Sequence, residues 1–474
     1  LSPLSHIHVL RLLKRSLLLL SLALAIGGAL LCAAFAAFTF WLLPRLDQYR
    51  PQLEQSLSAA LGHRVGIGRL TGHWQGVGPQ FELSSVSVAN PVSGQALTLR
   101  TVTVLPSWTS LLAREPRLSV RVDGPTMELR RAADGVIYLN GFDLNRGPSS
   151  DNALGNWLLR QPALEVRNAS LSWQDERLGL PRLDLQRGSL LLERTLLGHK
   201  LQLSGQPAAT LGKGLELSAG WRGDDLSSWQ NWSGSLRVAL NGARASVWSR
   251  YLRDLGVLRS GEGDGTLEMA FSDGAVSSLR ADVSVRDAAY TPPSARELVL
   301  PQLRGKLRLD RQADGSYRIE ASDLTLASAS GLAFDKSTIK GQWRPGAKGG
   351  GELTLDNVDV GNLNPFMHAL GVDSNPLFAR FAPRGALHDL TVGWQGPVES
   401  PASFKLRSRF ERLAWQPFAD LPGVSGVSGS VDFDERGGRL SLDTGKAEVT
   451  YPEVFPHSLP FDKLAADVAW RRQG

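Results

Sequence analysis

The sequence predicts a mainly β protein: an N-terminal transmembrane helix followed by an elongated, curled antiparallel β-sheet, groove-like, with a few short helices. Three observations carry this. Residues 16–43 hold no charged side chain and are mostly Leu, Ala and Phe. Beyond Gly62 the apolar residues recur at every second position, the period of strands with one buried and one wet face. Pairs such as Asp134-Gly135, Asp273-Gly274, Asp314-Gly315 and Gly437-Gly438 supply tight turns between those strands.

At 1.5 Å per residue, about 20 residues cross the hydrocarbon core of a bilayer, so residues 16–43 are long enough. Arg11, Lys14 and Arg15 precede the run and no acid does. That predicts a cytoplasmic N-terminus, with everything beyond Pro44 across the membrane. Trp41 lies near the far end, where an amphipathic ring suits the headgroup region. The run is longer than the apolar part of a usual signal peptide, which weighs against cleavage near Ala34-Phe35-Ala36. Leu31 stands before Cys32 where an acylation site wants a small residue, and this lone cysteine leaves no intrachain disulfide. The expected organisation is a basic tail (1–15), a transmembrane helix (16–43), a helix plus β module next to the membrane (44–145) and an extended β body (146–474).

After the apolar run, Leu46, Tyr49, Leu53, Leu57, Ala60 and Leu61 recur mostly at spacings of three and four, predicting a short amphipathic helix. Asp47 can cap it, Pro51 suits its first turn and Gly62 can end it. Such a helix docks on the bilayer or on the first strands. Strands are then predicted at 65–67, 81–83, 86–88, 118–122, 127–129, 164–166, 171–173, 183–185, 201–203, 215–217, 236–240, 267–271 and 283–285. They continue at 307–309, 317–319, 324–326, 353–355, 392–394, 431–433, 440–442 and 449–451. Nearly all read apolar-x-apolar, and their close spacing favours antiparallel meanders over βαβ units. Helical stretches are few: 108–112, 153–159, 243–255 and 364–370.

One apolar face per strand over hundreds of residues needs a cover, because exposed apolar patches of that size are rare on soluble monomers. The sheet must fold onto another sheet, close on itself, or curl into a trough that meets an apolar ligand. The length of the run and the lack of clear linkers favour the continuous curled sheet. Without Arg11, Lys14 and Arg15 the chain has 49 basic and 46 acidic residues, a net +3, which suits no nucleic-acid partner.

No catalytic constellation stands out, and the expectation is a non-enzyme without cofactor or metal. The eight histidines show no metal-ligand spacing. Ser337-Thr-Ile-Lys340 fits S-x-x-K but lacks its companion motifs and sits in a strand-like stretch. Gly66-Ile-Gly68 and Gly261-Glu-Gly263-Asp-Gly265 complete neither a dinucleotide fingerprint nor a P-loop. Trp173, Trp221, Trp343, Trp394, Trp415 and Trp470 fall in or near strands, where large rings fill a core or seal a rim.

The run Leu43-Pro-Arg-Leu-Asp-Gln-Tyr-Arg-Pro-Gln-Leu53 through Ala60-Leu-Gly-His-Arg-Val-Gly-Ile67, after a transmembrane helix, resembles the start of the AsmA-like envelope proteins. Leu70-Thr-Gly-His-Trp74-Gln-Gly-Val-Gly-Pro79 and the strand to Val88 are similar to the YhdP subgroup in particular, as is the later stretch with Trp248, Tyr251 and Leu252. The resemblance implies a bacterial inner-membrane anchor through residues 16–43 and a long periplasmic β-groove. It implies phospholipid transport from the inner toward the outer membrane in support of the permeability barrier, with outer-membrane or envelope proteins as further partners. Members of that subgroup are much longer, so this chain is expected to be an N-terminal portion.

On this reading the groove is lined by apolar members of the central strands: Leu201, Leu203, Leu215, Leu217, Leu236, Val238, Leu240, Leu267, Met269, Phe271, Leu307, Leu309, Leu324, Leu326, Leu353 and Leu355. The main rival is a non-transporting periplasmic scaffold or assembly factor built on a closed, dry sandwich. A hydrolase of envelope polymers is a third reading, weakened by the missing catalytic set.

Overall fold

The computed structural model describes residues 20–22, 24–30, 32–33, 35–61, 64–76, 78–89, 96–107, 117–143, 153–180, 182–248, 257–291, 298–327, 333–346, 349–362, 382–397, 401–418 and 421–471. A helix, Leu20–Ala59, is long and apolar enough to cross a membrane. It passes through a π turn (Phe38–Leu42) and a 3-10 stretch (Leu43–Tyr49) before the α-helical segment Arg50–Leu61. The chain divides into two compact units, one of Leu1–Arg130 and Val136–Leu171, the other of Arg131–Gly135 and Ser172–Gly474.

The first unit holds strands β1 (Arg64–Gly66), β2 (Arg69–Gln75), β3 (Gly78–Ala89), β4 (Ala96–Pro106), β5 (Leu118–Asp123), β6 (Thr126–Arg131), β7 (Ile137–Leu139) and β8 (Phe142–Asp143). A helix, Ala153–Arg160, leads into β9 (Ala163–Asp175). β1 and β2 both pair with β3, β3 with β4 and β4 with β5, all antiparallel, whereas β5 and β9 run parallel. Leu46, Leu53 and Leu57 pack on a core of Val65, Ile67, Leu70, Leu83 and Val86, so the amphipathic helix docks on the first strands. Tyr49 stays exposed. Asp47 caps no helix end, because the helix continues through it; its Oδ1 accepts the Leu70 N–H at 3.0 Å. Glu54 Oε1 likewise accepts from Ile67 N–H (2.6 Å) and Ser58 Oγ from Val65 N–H (2.9 Å), satisfying donors at the sheet edge. Gly62 lies outside the described residues.

The second unit contains β10 (Leu183–Thr195), β11 (Gly198–Pro207), β12 (Gly214–Arg222), β13 (Ser233–Arg244), β14 (Val257–Ser272), β15 (Ala275–Thr291), β16 (Leu298–Arg311), β17 (Tyr317–Ala327) and β18 (Ala333–Arg344). β19 (Gly350–Asp359), β20 (Arg384–Gln395), β21 (Ser403–Trp415), β22 (Gly423–Asp434), β23 (Gly437–Thr444), β24 (Ala447–Thr450), β25 (Leu459–Phe461) and β26 (Leu464–Arg471) follow. From β10 to β23 each strand pairs antiparallel with the next. β24 then pairs with β22 and β26 with β23. Among the described residues no pairing links β26 back to β10.

Many of these strands carry a left-handed residue at one side of the meander: Arg187, Gly242, Gly261, Asp287, Asp323, Lys336, Asp389, Arg412 and Gly426. Most fall at register shifts of the ladder, as at Asp389 and Arg412. Such bulges bend a strand and increase its twist. On that side the buried residues gather, among them Ala288, Leu300, Val358, Phe410 and Val427. Of the predicted helices, Ala245–Trp248 and Ala153–Arg160 are present, while 108–112 and 364–370 lie outside the described residues.

Candidate functional site

In a β-ladder, directly paired residues share one face of the sheet, so register turns a list of strands into rows. One row runs Leu190, Leu203, Leu217, Val238, Leu267, Ala281, Leu307, Ala321, Ile339, Leu355 and Leu390 from β10 to β20. A second runs Leu192, Leu201, Ala219, Leu236, Met269, Leu279, Leu309, Ile319, Gly341, Leu353, Val392, Leu406, Phe433, Gly438 and Trp470 as far as β26. Neither contains a polar side chain. At about 4.8 Å between strands, the fourteen steps of the second row extend roughly 65 Å along the sheet.

The row between these two points to the opposite face and reads Ser218, Arg237, Glu268, Arg280, Arg308, Glu320, Lys340, Thr354, Thr391, Arg407, Asp432 and Arg439. Here opposite charges meet across strands: Arg237 with Glu268 at 3.1 Å, Lys340 with Glu320 at 3.4 Å, Arg407 with Asp432 at 2.9 Å. Lys306 donates to Asp323 at 2.8 Å, which holds the Asp323 carboxyl below its ordinary range and raises the lysine. One face is therefore apolar and the other an ion-paired, wet surface. An open depression of about 470 Å³ lies on the charged face, among Arg237, Glu268, Arg280, Arg308 and Glu320, and its lining is unsuited to hydrocarbon.

The apolar face is only partly shielded. Leu267 and Leu307 are 37% and 40% exposed, and the rest of the first row is half-buried apart from buried Leu390. A second layer over this face would bury these residues as fully as Ala288, 1% exposed, and Leu300, 3% exposed.

The structure brings the sequence-predicted residues together on this face. Leu203, Leu217, Val238, Leu267, Leu307 and Leu355 occupy the first row, and Leu201, Leu236, Met269, Leu309 and Leu353 the second. Leu215 pairs with Leu240 one row toward the bulges. Leu324 reaches across Gly305 in that same row, and Leu326 pairs with Leu303 beyond the Asp323 bulge. Phe271 stands in a further row on the hairpin side.

That last row was not legible as a unit. It reads His199, Trp221, Gly234, Phe271 and Val276, and farther along Tyr317, Trp343, Gly351, Trp394 and Phe404. His199 stacks on Trp221 at 5.3 Å, and Trp221 on Trp232 at 5.6 Å. Trp394 lies across Gly351, where an added Cβ would come within 2.6 Å of the indole. Aromatic rings thus border one side of the apolar face, and the buried indole N–H groups of Trp221 and Trp394 have no acceptor among the described residues. The sequence signals were an excess of Trp, 13 against 6 Tyr, and the place of Trp221, Trp343 and Trp394 in or near strands.

The family model described as YhdP protein matches residues 6–474. The chain is 24% identical over 501 residues to the "Intermembrane phospholipid transporter YhdP" of Escherichia coli (strain K12), an alignment covering 97% of this chain and 36% of that protein. No solved structure gives a significant match. With a family match spanning nearly its whole length, the chain belongs to the YhdP family.

Proposed function

We propose that this chain carries phospholipid along the apolar face of β10–β23, with acyl chains on the two unbroken rows and the headgroup toward the aromatic border. The N-terminal helix anchors it in the bacterial inner membrane, N-terminus in the cytoplasm, and the sheet leads lipid toward the outer membrane to maintain its barrier. The observation that carries this reading is the pair of apolar rows, which cross every strand from β10 to β20 without a polar side chain yet, Leu390 apart, remain at least partly exposed. A dry sandwich scaffold would bury such rows.

The energetics favour a shielded path. A lipid with two chains of about 15 CH₂ groups loses about 0.8 kcal/mol for each group brought into water, on the order of 24 kcal/mol in all. As a bare barrier this limits passage to about 10⁻⁵ per second. An apolar face removes most of that cost, and its uniform Leu, Val, Ile and Ala lining sets equivalent sites in series, so no site is a deep trap. The headgroup stays wet at the hairpin side, where the amphipathic rings of the aromatic border suit the boundary between acyl chains and water. No step requires a reacting side chain.

Native mass spectrometry of the protein in mild detergent, with lipid extraction, tests this. Several phospholipids per chain, lost in a folded Leu236→Asp/Leu240→Asp variant, are expected. A lipid-free protein would favour the scaffold reading.

A further inference from the structure

The uncharged run 16–43 has 28 residues, enough for about 42 Å at the α-helical rise, whereas a hydrocarbon core is about 30 Å thick. About eight residues, 36–43, are therefore in excess. β2 packs along these residues. The Leu70 N–H bonds Asp47, and Gly72 lies so close to the helix that a Cβ there would sit 2.4 Å from a Leu46 methyl and 2.7 Å from a Leu43 methyl. Trp74 Nε1 donates to Thr39 Oγ1 at 2.8 Å, and its ring lies 4.7 Å from that of Phe35 and 5.6 Å from that of Phe38. Two residues of strand thus match about four of helix, as rises of about 3.3 and 1.5 Å require. The strand descends beside the helix, and its turn toward β3 reaches the level of Phe35.

Gln75 and Gly76, exposed where β2 ends, cannot enter hydrocarbon, where a polar side chain and unpaired backbone groups are costly. The hydrocarbon boundary must lie at or below the tip. Counting down from Phe35 to Ser16 gives 20 residues, about 30 Å, the thickness required. Resting on the reading that this helix spans a bilayer, we propose that the β2–β3 hairpin sits in the headgroup layer, with Trp74 as its interfacial anchor. The first unit then begins at the membrane surface with no linker between bilayer and sheet, and the partner of this hairpin is the phospholipid bilayer itself.

The test uses the full chain in phosphatidylcholine/phosphatidylglycerol liposomes, in a Cys32→Ser background, with a bimane label at Gln75→Cys or Gly76→Cys. Thr98→Cys serves as control: it pairs with Ser87, nine residues along β3 from Gly78 and so about 30 Å from the tip. Headgroup-nitroxide lipid should quench both tip labels several-fold more than 12-doxyl lipid does, and neither should quench the label at position 98. No quenching at either tip position in protein that resists carbonate extraction would overturn the hairpin's placement alone. Stronger quenching by the deep label would also overturn it. Extraction of the unlabelled protein by carbonate would overturn the spanning reading, and this proposal with it.

Discussion

Leu236 of β13 and Met269 of β14 stand directly opposite each other on the apolar face. Their chain neighbours Arg237 and Glu268 form a 3.1 Å ion pair on the reverse face. One step along the strand therefore exchanges a surface fit for hydrocarbon for one fit for water. Rows of half-exposed residues should tolerate polar substitution in folding but not in lipid carriage. Leu236→Asp is expected to cost about 1–2 kcal/mol, less than full burial of a Leu is worth, and to abolish lipid retention. Ala288→Asp, at a position only 1% exposed, is expected to unfold the unit by burying a charge. Thermal melts and lipid counts on the two variants separate these outcomes.

The charged face should be dispensable for carriage. Arg237→Ala and Glu268→Ala, singly or together, are expected to change stability by about 1 kcal/mol or less, since both partners are solvent-exposed. Lipid retention should be unchanged, and a double-mutant cycle of denaturant melts gives the coupling energy.

Trp394 is seated by the missing side chain of Gly351. A Cβ there would also come within 2.8 Å of the Gln342 carbonyl, so the site has backbone on one side and indole on the other. Gly351→Val is expected to cost about 1–3 kcal/mol by overpacking and to displace the ring. The displacement should appear as a red-shifted emission component that is absent from a Trp394→Phe background.

Asp314 in the β16–β17 turn accepts hydrogen bonds from the Ser316 hydroxyl and backbone N–H and pairs with Arg344, and these hold its pKa at about 2 against an ordinary 3.8. A depressed carboxylate stabilises the fold above its unfolded pKa and loses that contribution as pH falls. The turn should thus contribute fully above about pH 3.8 and lose its ion pair and hydrogen bonds only as pH falls through about 2. Carboxyl NMR titration should place the midpoint near 2, and Asp314→Asn should remove the step.

The apolar-x-apolar rhythm made most of the strands legible, because a strand half in water writes its period directly into the chain, but β4, β18, β21 and β26 carry no predicted segment. The sixteen predicted groove positions share a face for the same reason: a period of two keeps Leu236, Val238 and Leu240 on one side. Register is different. Nothing in Leu203 or Leu307 says which residue of the next strand it meets, so neither the two long rows nor the aromatic border was visible before pairing was known. The left-handed positions Asp287, Asp323 and Asp389 were equally hidden, since Asp is common in turns and these lie inside strands. Asp47 looked like a helix cap because Asp often is one; its partner, the Leu70 N–H, lies 23 residues away.

The most direct test of the central claim is site-specific photo-crosslinking to phospholipid along consecutive positions of adjacent strands. Benzophenone side chains at Leu267 and Leu307 should capture lipid, whereas those at Glu268 and Arg308, one residue away on the reverse face, should not. Equal labelling at all four positions, or labelling confined to Glu268 and Arg308, would contradict carriage along the apolar rows.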